Sequence, residues 1–128
     1  MREEVRWALK RMKESMASLA DGVRRSKDDL DQDGVIKRFE FTFEVFWKGL
    51  KALLEDKGIL KNSPKDCLAA AFRAGLLGEE KAFLDMLEDR NKTAHIYDEE
   101  EARKVFQRIE KSHLPALLKA LARLQKAF

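Results

Sequence analysis

The residues best equipped for chemistry lie in one short stretch, Arg90-Asn91-Lys92-Thr93-Ala94-His95-Ile96-Tyr97. Arginine keeps its charge at any physiological pH and presents a planar fork of N–H donors suited to a phosphate or a carboxylate. Histidine titrates near neutrality and so can take up or release a proton. On an ideal helix Arg90 and His95 stand about 140° apart, so they do not stack on one face. Asn91 and His95, four apart, do share a face. A helix ending near Thr93 would let Arg90 and His95 reach one ligand, and an extended His95-Ile96-Tyr97 beyond it would project His95 and Tyr97 to the same side. Arg90 also falls on the face of Phe83, Met86, Leu87 and Ala94, which the apolar spacing predicts to point inward. A buried guanidinium needs an anion, either a carboxylate, with Glu40 and Glu44 as candidates, or a phosphate received in a cleft.

Those carboxylates belong to a second segment with its own anomaly. Phe39, Phe43, Phe46, Leu50, Leu53 and Leu54 fall within one arc of about 100°, which reads as core. Phe41, Val45 and Ala52 fall almost opposite, giving a second apolar stripe that needs a cover: a bundle neighbour, the short third helix, or another subunit. Glu40, Glu44, Trp47 and Lys51 border the core arc, where they either line a cleft or form an ordinary solvated edge. His113 and Cys67 read as packing residues. With one cysteine and two histidines in the chain, a cysteine-based zinc site is excluded and a dedicated metal cage is not expected. No glycine-rich phosphate loop, Ser/His/Asp arrangement or Gly-Ser with paired Asp occurs, so a self-sufficient nucleotidyltransferase is not encoded.

The elements that position these residues are helices. Glycine (6) and proline (2) are scarce, which disfavours a turn-rich β fold in a chain of 128 residues, and the length suits one domain over residues 1–128. Val5, Leu9, Met12, Met16, Leu19 and Val23 mark a first helix to about Arg25. The acidic stretch Asp28 to Gly34 reads as a polar turn, with the second helix starting near Val35 and ending at Lys57-Gly58. Ser63-Pro64-Lys65-Asp66 opens a short helix that stops at Gly75. A fourth covers Glu79 to about Thr93. A fifth starts at Asp98-Glu99-Glu100-Glu101, and Pro115 should kink or divide it. The fold class expected is all-α, an up-and-down four-helix bundle with an additional short helix.

Charged residues make up 38% of the chain, yet the net charge is only +3, so whole-chain charge argues weakly for nucleic acid. The basic excess is local: residues 102–128 hold seven Lys/Arg against the single acid Glu110. No run approaches the ~20 apolar residues of a membrane span, and Met1-Arg2-Glu3-Glu4 lacks the apolar core of a secretory signal, so a cytoplasmic protein with no membrane partner is expected. Few Asn and Gln beside abundant Glu, Lys and Arg fit a thermophile.

The form Arg-x4-His-x-Tyr at Arg90, His95 and Tyr97 resembles the signature of the HEPN superfamily. The blocks Arg38-Phe39-Glu40-Phe41-Thr42-Phe43-Glu44 with Trp47-Lys48, Ser63 to Asp66, Ala74-Gly75-Leu76 and Arg90 to Asp98 resemble, more narrowly, the nucleotidyltransferase substrate-binding protein family. The resemblance implies a HEPN-like bundle, usually a homodimer, acting beside a separately encoded minimal nucleotidyltransferase. It implies that Arg90 and His95 contact the nucleotide, with Asn91 and Tyr97 shaping the cleft; Glu40 and Trp47, from the edge of the core arc, are expected among the nucleotide-binding residues as well. No cofactor would be bound by this chain alone; the nucleoside triphosphate and Mg would sit at the partner transferase. The superfamily also implies an alternative: a toxin of a toxin–antitoxin pair, a metal-independent endoribonuclease acting on RNA through Arg90 and His95, silenced when its cognate transferase adenylylates Tyr97. A third reading is a purely structural interaction module.

Overall fold

The structure, a computed structural model, describes residues 2–96 and 98–128. It is all-α: among the described residues there are helices and connecting turns but no strand. We number the helices α1 (Glu3–Arg25), α2 (Asp29–Asp56), α3 (Pro64–Arg73), α4 (Glu80–Lys92), α5 (Glu99–Arg108) and α6 (Leu114–Ala127). Among the described residues, no helix is long and apolar enough to cross a membrane.

Local signals explain most of the boundaries. The Ser63 hydroxyl accepts from the Asp66 N–H at 3.2 Å, with Pro64 supplying the preset φ of the first helical residue. Asp98 caps α5 in the same way, accepting from the Glu101 N–H at 2.7 Å ahead of three acidic residues at the positive end of the helix dipole. Gly58 (φ 79°) and Gly75 (φ 76°) adopt the left-handed conformation that terminates α2 and α3.

The start of α2 departs from the sequence reading. The helix begins at Asp29 rather than near Val35, because Asp28 is itself the N-cap, accepting from the Asp31 N–H at 2.8 Å. Asp29 and Asp31 then sit in the first turn, where carboxylates are favoured, so the acidic stretch is helical. The break expected around Pro115 takes a specific form. Ile109–His113 is a π-helical turn in which the Leu114 N–H donates to the Ile109 carbonyl. Proline at the second position of α6 has no N–H for the carbonyl a turn earlier, and the wider turn absorbs that loss without ending the rod.

α2 is the central element. Phe39, Phe43, Phe46, Leu50, Leu53 and Leu54 are fully buried, as their arc requires. Phe46 stacks on Phe83 of α4 with ring centroids 5.3 Å apart, and Phe39 stacks on His113 at the same separation. α1 packs along α2 at close range: Thr42 Oγ1 donates to the Arg38 and Ser15 carbonyls, and at Gly49 a Cβ would run into the buried Met12 methyl. Cys67 is fully buried, and burial pushes its thiol pKa up. The second stripe of α2 is not covered by a bundle neighbour or by α3. Phe41 is 59% exposed and Trp7 of α1, beside it, 58%. Together they line a groove between α1 and α2.

Candidate functional site

α4 carries the candidate site, and its orientation is set by the residue before Arg90. Asp89 is buried and binds three donors from the α5–α6 rod: Arg108 Nε at 2.7 Å, Arg108 Nη2 at 2.8 Å and His113 Nε2 at 2.6 Å. Burial alone would raise the Asp89 pKa, but the guanidinium and imidazole outweigh it and hold the carboxyl below its ordinary value. The π turn places His113 inward between this carboxylate and the Phe39 ring. This clamp was absent from the sequence reading, which put Arg90 on the inward face. A signal existed: Phe83, Met86 and Asp89 recur at i, i+3 and i+6, and Asp89 is the member that meets the π turn. The buried face is rotated toward α5–α6, leaving Arg90 on the flank facing α2.

Arg90 accordingly finds a carboxylate, one of the two outcomes its position required. Its Nη2 donates to Glu44 Oε2 at 2.7 Å, and Nη1 makes a long contact with Asn91 Oδ1 at 3.4 Å. The pair is not sealed, since the two side chains keep 36% and 33% of their exposure. Glu44 engages one arm of the fork only, so the guanidinium retains donor capacity for a second anion. Burial favours the neutral form of Glu44, but the Trp47 indole, Arg90 and Lys48 together hold its pKa below the ordinary carboxylate value. Lys48 Nζ lies 3.6 Å from Glu44 Oε1.

Trp47 sits beneath this pair rather than at the rim of a cleft. It is only 9% exposed, and its indole N–H is buried with no hydrogen bond of ordinary geometry among the described residues. Glu40 is half-buried one turn earlier on α2 and is not drawn into the Arg90–Glu44 pair. Thr93 Oγ1 donates to the Arg90 carbonyl at 2.7 Å where α4 gives way to a 3₁₀ turn, Thr93–His95. His95 therefore ends a turn and is not extended as the sequence suggested; Ile96 after it is extended, with φ −89° and ψ 117°. Ala94 is exposed, not inward, because the helical register stops at Lys92. The His95 side chain is exposed just beyond the α4 end that carries Arg90. Tyr97 lies outside the described residues.

Glu44 and Lys48 also line the α1–α2 groove, a cavity of about 460 Å³ bordered by Trp7, Arg11 and Phe41. A second cavity of about 510 Å³ continues it along the same helices, sharing Arg11, Phe41 and Val45. The Glu44 end of the pair thus borders an uncovered apolar groove.

Comparison with known proteins bears on the fold and the family. A crystal structure of a protein from Thermus thermophilus superposes with a TM-score of 0.76 at 33% sequence identity, covering 91% of this chain and 97% of that one. "Probable ribonuclease HepT" of Haemophilus influenzae is 34% identical over 82 residues, which is 60% of this chain and 56% of that protein. The matched part thus spans little more than half the length of that curated relative. Residues 3–126 match the family model described as "Nucleotidyltransferase substrate binding protein like", and the chain belongs to that family.

Proposed function

We propose that this chain is the substrate-side subunit of a two-component nucleotidyltransferase, binding the phosphates of a nucleotide through Arg90. The observation that carries the reading is the open Arg90–Glu44 contact: a permanent cation, one-third exposed, held to its carboxylate by one arm of the fork only, with Glu44 itself lining the α1–α2 groove. An arginine used only for stability would gain most from bidentate pairing, as Arg108 does with Asp89. Asn91 and the exposed His95 supply further polar groups beside it, and Tyr97 belongs to the same segment. The triphosphate-bound Mg and the acids that hold it are assigned to the partner transferase.

The α1–α2 groove is assigned to a second copy of the chain. Its floor is apolar and its rim carries both signs, Glu4 and Glu14 against Arg11, Lys37 and Lys48, as a surface paired with itself by a two-fold axis requires. Glu44 borders the groove, so dimerisation would bring each Arg90 close to the partner protomer. Mixing the protein with a small nucleotidyltransferase from the same genome tests the subunit reading. A stable complex whose ATP affinity falls at least about tenfold with Arg90→Ala supports it. No complex, or a complex indifferent to Arg90, refutes it.

One finding favours a second reading, the name of the Haemophilus relative. An imidazole such as that of His95 can take the proton of a ribose 2′-hydroxyl, with Arg90 stabilising charge on the scissile phosphate. Under that reading the purified protein cleaves RNA without divalent metal and His95→Ala abolishes cleavage; intact RNA at high protein concentration rejects it.

A further inference from the structure

Glu44 has two sets of partners within reach. Oε2 accepts from Arg90, while Oε1 faces Lys48 Nζ at 3.6 Å. Three residues along the same helix, the buried Trp47 indole N–H lies beside the Glu44 carboxylate, close enough to help hold its pKa down, yet makes no hydrogen bond of ordinary geometry among the described residues. A buried donor without a well-formed bond is unfavourable, so this contact stands to tighten. The cavity lined by Glu44 and Lys48 leaves room for the carboxylate to change rotamer. A phosphoryl group arriving at Arg90 would meet the Glu44 carboxylate at short range, and two anions cannot both hold that position without repulsion.

We propose that Glu44 is a movable gate: it occupies Arg90 while the site is empty and, when a phosphate-bearing ligand takes the guanidinium, releases it and closes onto the Trp47 indole N–H and the Lys48 ammonium it already borders. The exchange replaces one anion on Arg90 by another and makes or breaks no covalent bond. It sets a threshold, because a weakly charged ligand fails to displace the carboxylate while a polyphosphate succeeds. The inference rests on the reading of Arg90 as the phosphate-binding side chain.

The test is calorimetric titration of ATP into the full chain and into its Arg90→Ala, Glu44→Gln and Trp47→Phe variants, each checked for fold by thermal melting. The gate predicts that Glu44→Gln binds ATP about tenfold more tightly than the parent, since the competing charge is gone. It predicts that Trp47→Phe binds about threefold or more weakly, since the released carboxylate loses its receiver. A spectroscopic arm uses Trp7→Phe, which leaves Trp47 as the only tryptophan: ATP should change its emission, and the change should vanish when Glu44→Gln is added. Should Trp47→Phe fail to fold, the Glu44→Gln affinity and this emission decide. ATP binding that survives Arg90→Ala, or is absent from every variant, overturns the reading of the site itself. Binding lost in Arg90→Ala but unchanged or weakened in Glu44→Gln leaves that reading standing and overturns the gate.

Discussion

Replacing Asp89 by Asn removes one charge and almost no volume, so it isolates what the clamp contributes. The parent carboxylate accepts three bonds of 2.6 to 2.8 Å from Arg108 and His113 while its side chain is only 6% exposed. An amide oxygen still satisfies one Arg108 donor, but the NH₂ group then faces a second donor that has lost its acceptor. Losing charge-assisted bonds costs about 1.5–3 kcal/mol, and breaking a buried pair about 3–5 kcal/mol. Arg108 is 44% exposed and regains water, which discounts the upper figure. The expected loss is therefore about 2–4 kcal/mol. For a domain of this size about 4 °C of Tm corresponds to each kcal/mol, so the melting point should fall by about 10 °C. Urea unfolding followed by circular dichroism measures the free energy directly. The sign of the pH dependence follows from the depressed Asp89 pKa. The parent's advantage is complete above the ordinary value of 3.8 and fades as pH falls through the lower folded value, so parent and variant should converge in strong acid. A variant within about 0.5 kcal/mol of the parent at pH 7 would refute the clamp as a stabilising element.

The remaining predictions concern the supports around the site. Asp98→Ala should cost about 1 kcal/mol in urea unfolding, because the Glu101 N–H loses its cap, and an unchanged midpoint would count against the cap. Phe39→Ala should cost about 3–5 kcal/mol and loosen His113, seen as loss of the ring-current shift on the imidazole protons; a retained shift would place the ring elsewhere. The Cys67 thiol, buried and with its pKa pushed up, should react with a thiol reagent only at the rate of unfolding, and fast labelling of the folded protein would contradict its placement. Phe41→Asp should turn a dimer into a monomer by light scattering with the melting behaviour of the single bundle retained; a dimer that persists moves the interface off this groove.

What could be read from the sequence was whatever is coded locally. Ser63-Pro64 and Asp98 announce helix starts by side chains that bond their own backbone, Gly58 and Gly75 announce ends by a conformation few other residues adopt, and the phenylalanines of α2 announce the core by spacing alone. The early start of α2 was hidden because aspartates serve turns and helix N-termini equally well, and only the Asp28–Asp31 bond separates the two. The clamp was hidden because Asp89, Arg108 and His113 are brought together by a π turn, which has no sequence code of its own. The partner of Arg90 was among the two candidates named, yet choosing Glu44 over Glu40 needed the rotation of α4 that the clamp imposes. The conformation of His95 depended on whether α4 ends in a 3₁₀ turn or an extended strand, a choice made by the Thr93 back-bond to Arg90.

The central claim is that the Arg90 guanidinium receives a phosphate, and its Nε–H resonance reports this most directly. In a nitrogen-labelled sample titrated with ATP, with the peak assigned by its loss in Arg90→Lys, the account predicts a shift that saturates at the calorimetric Kd and a variant that binds at least about tenfold more weakly. An Arg90 resonance that stays fixed while ATP binds elsewhere on the protein would contradict it.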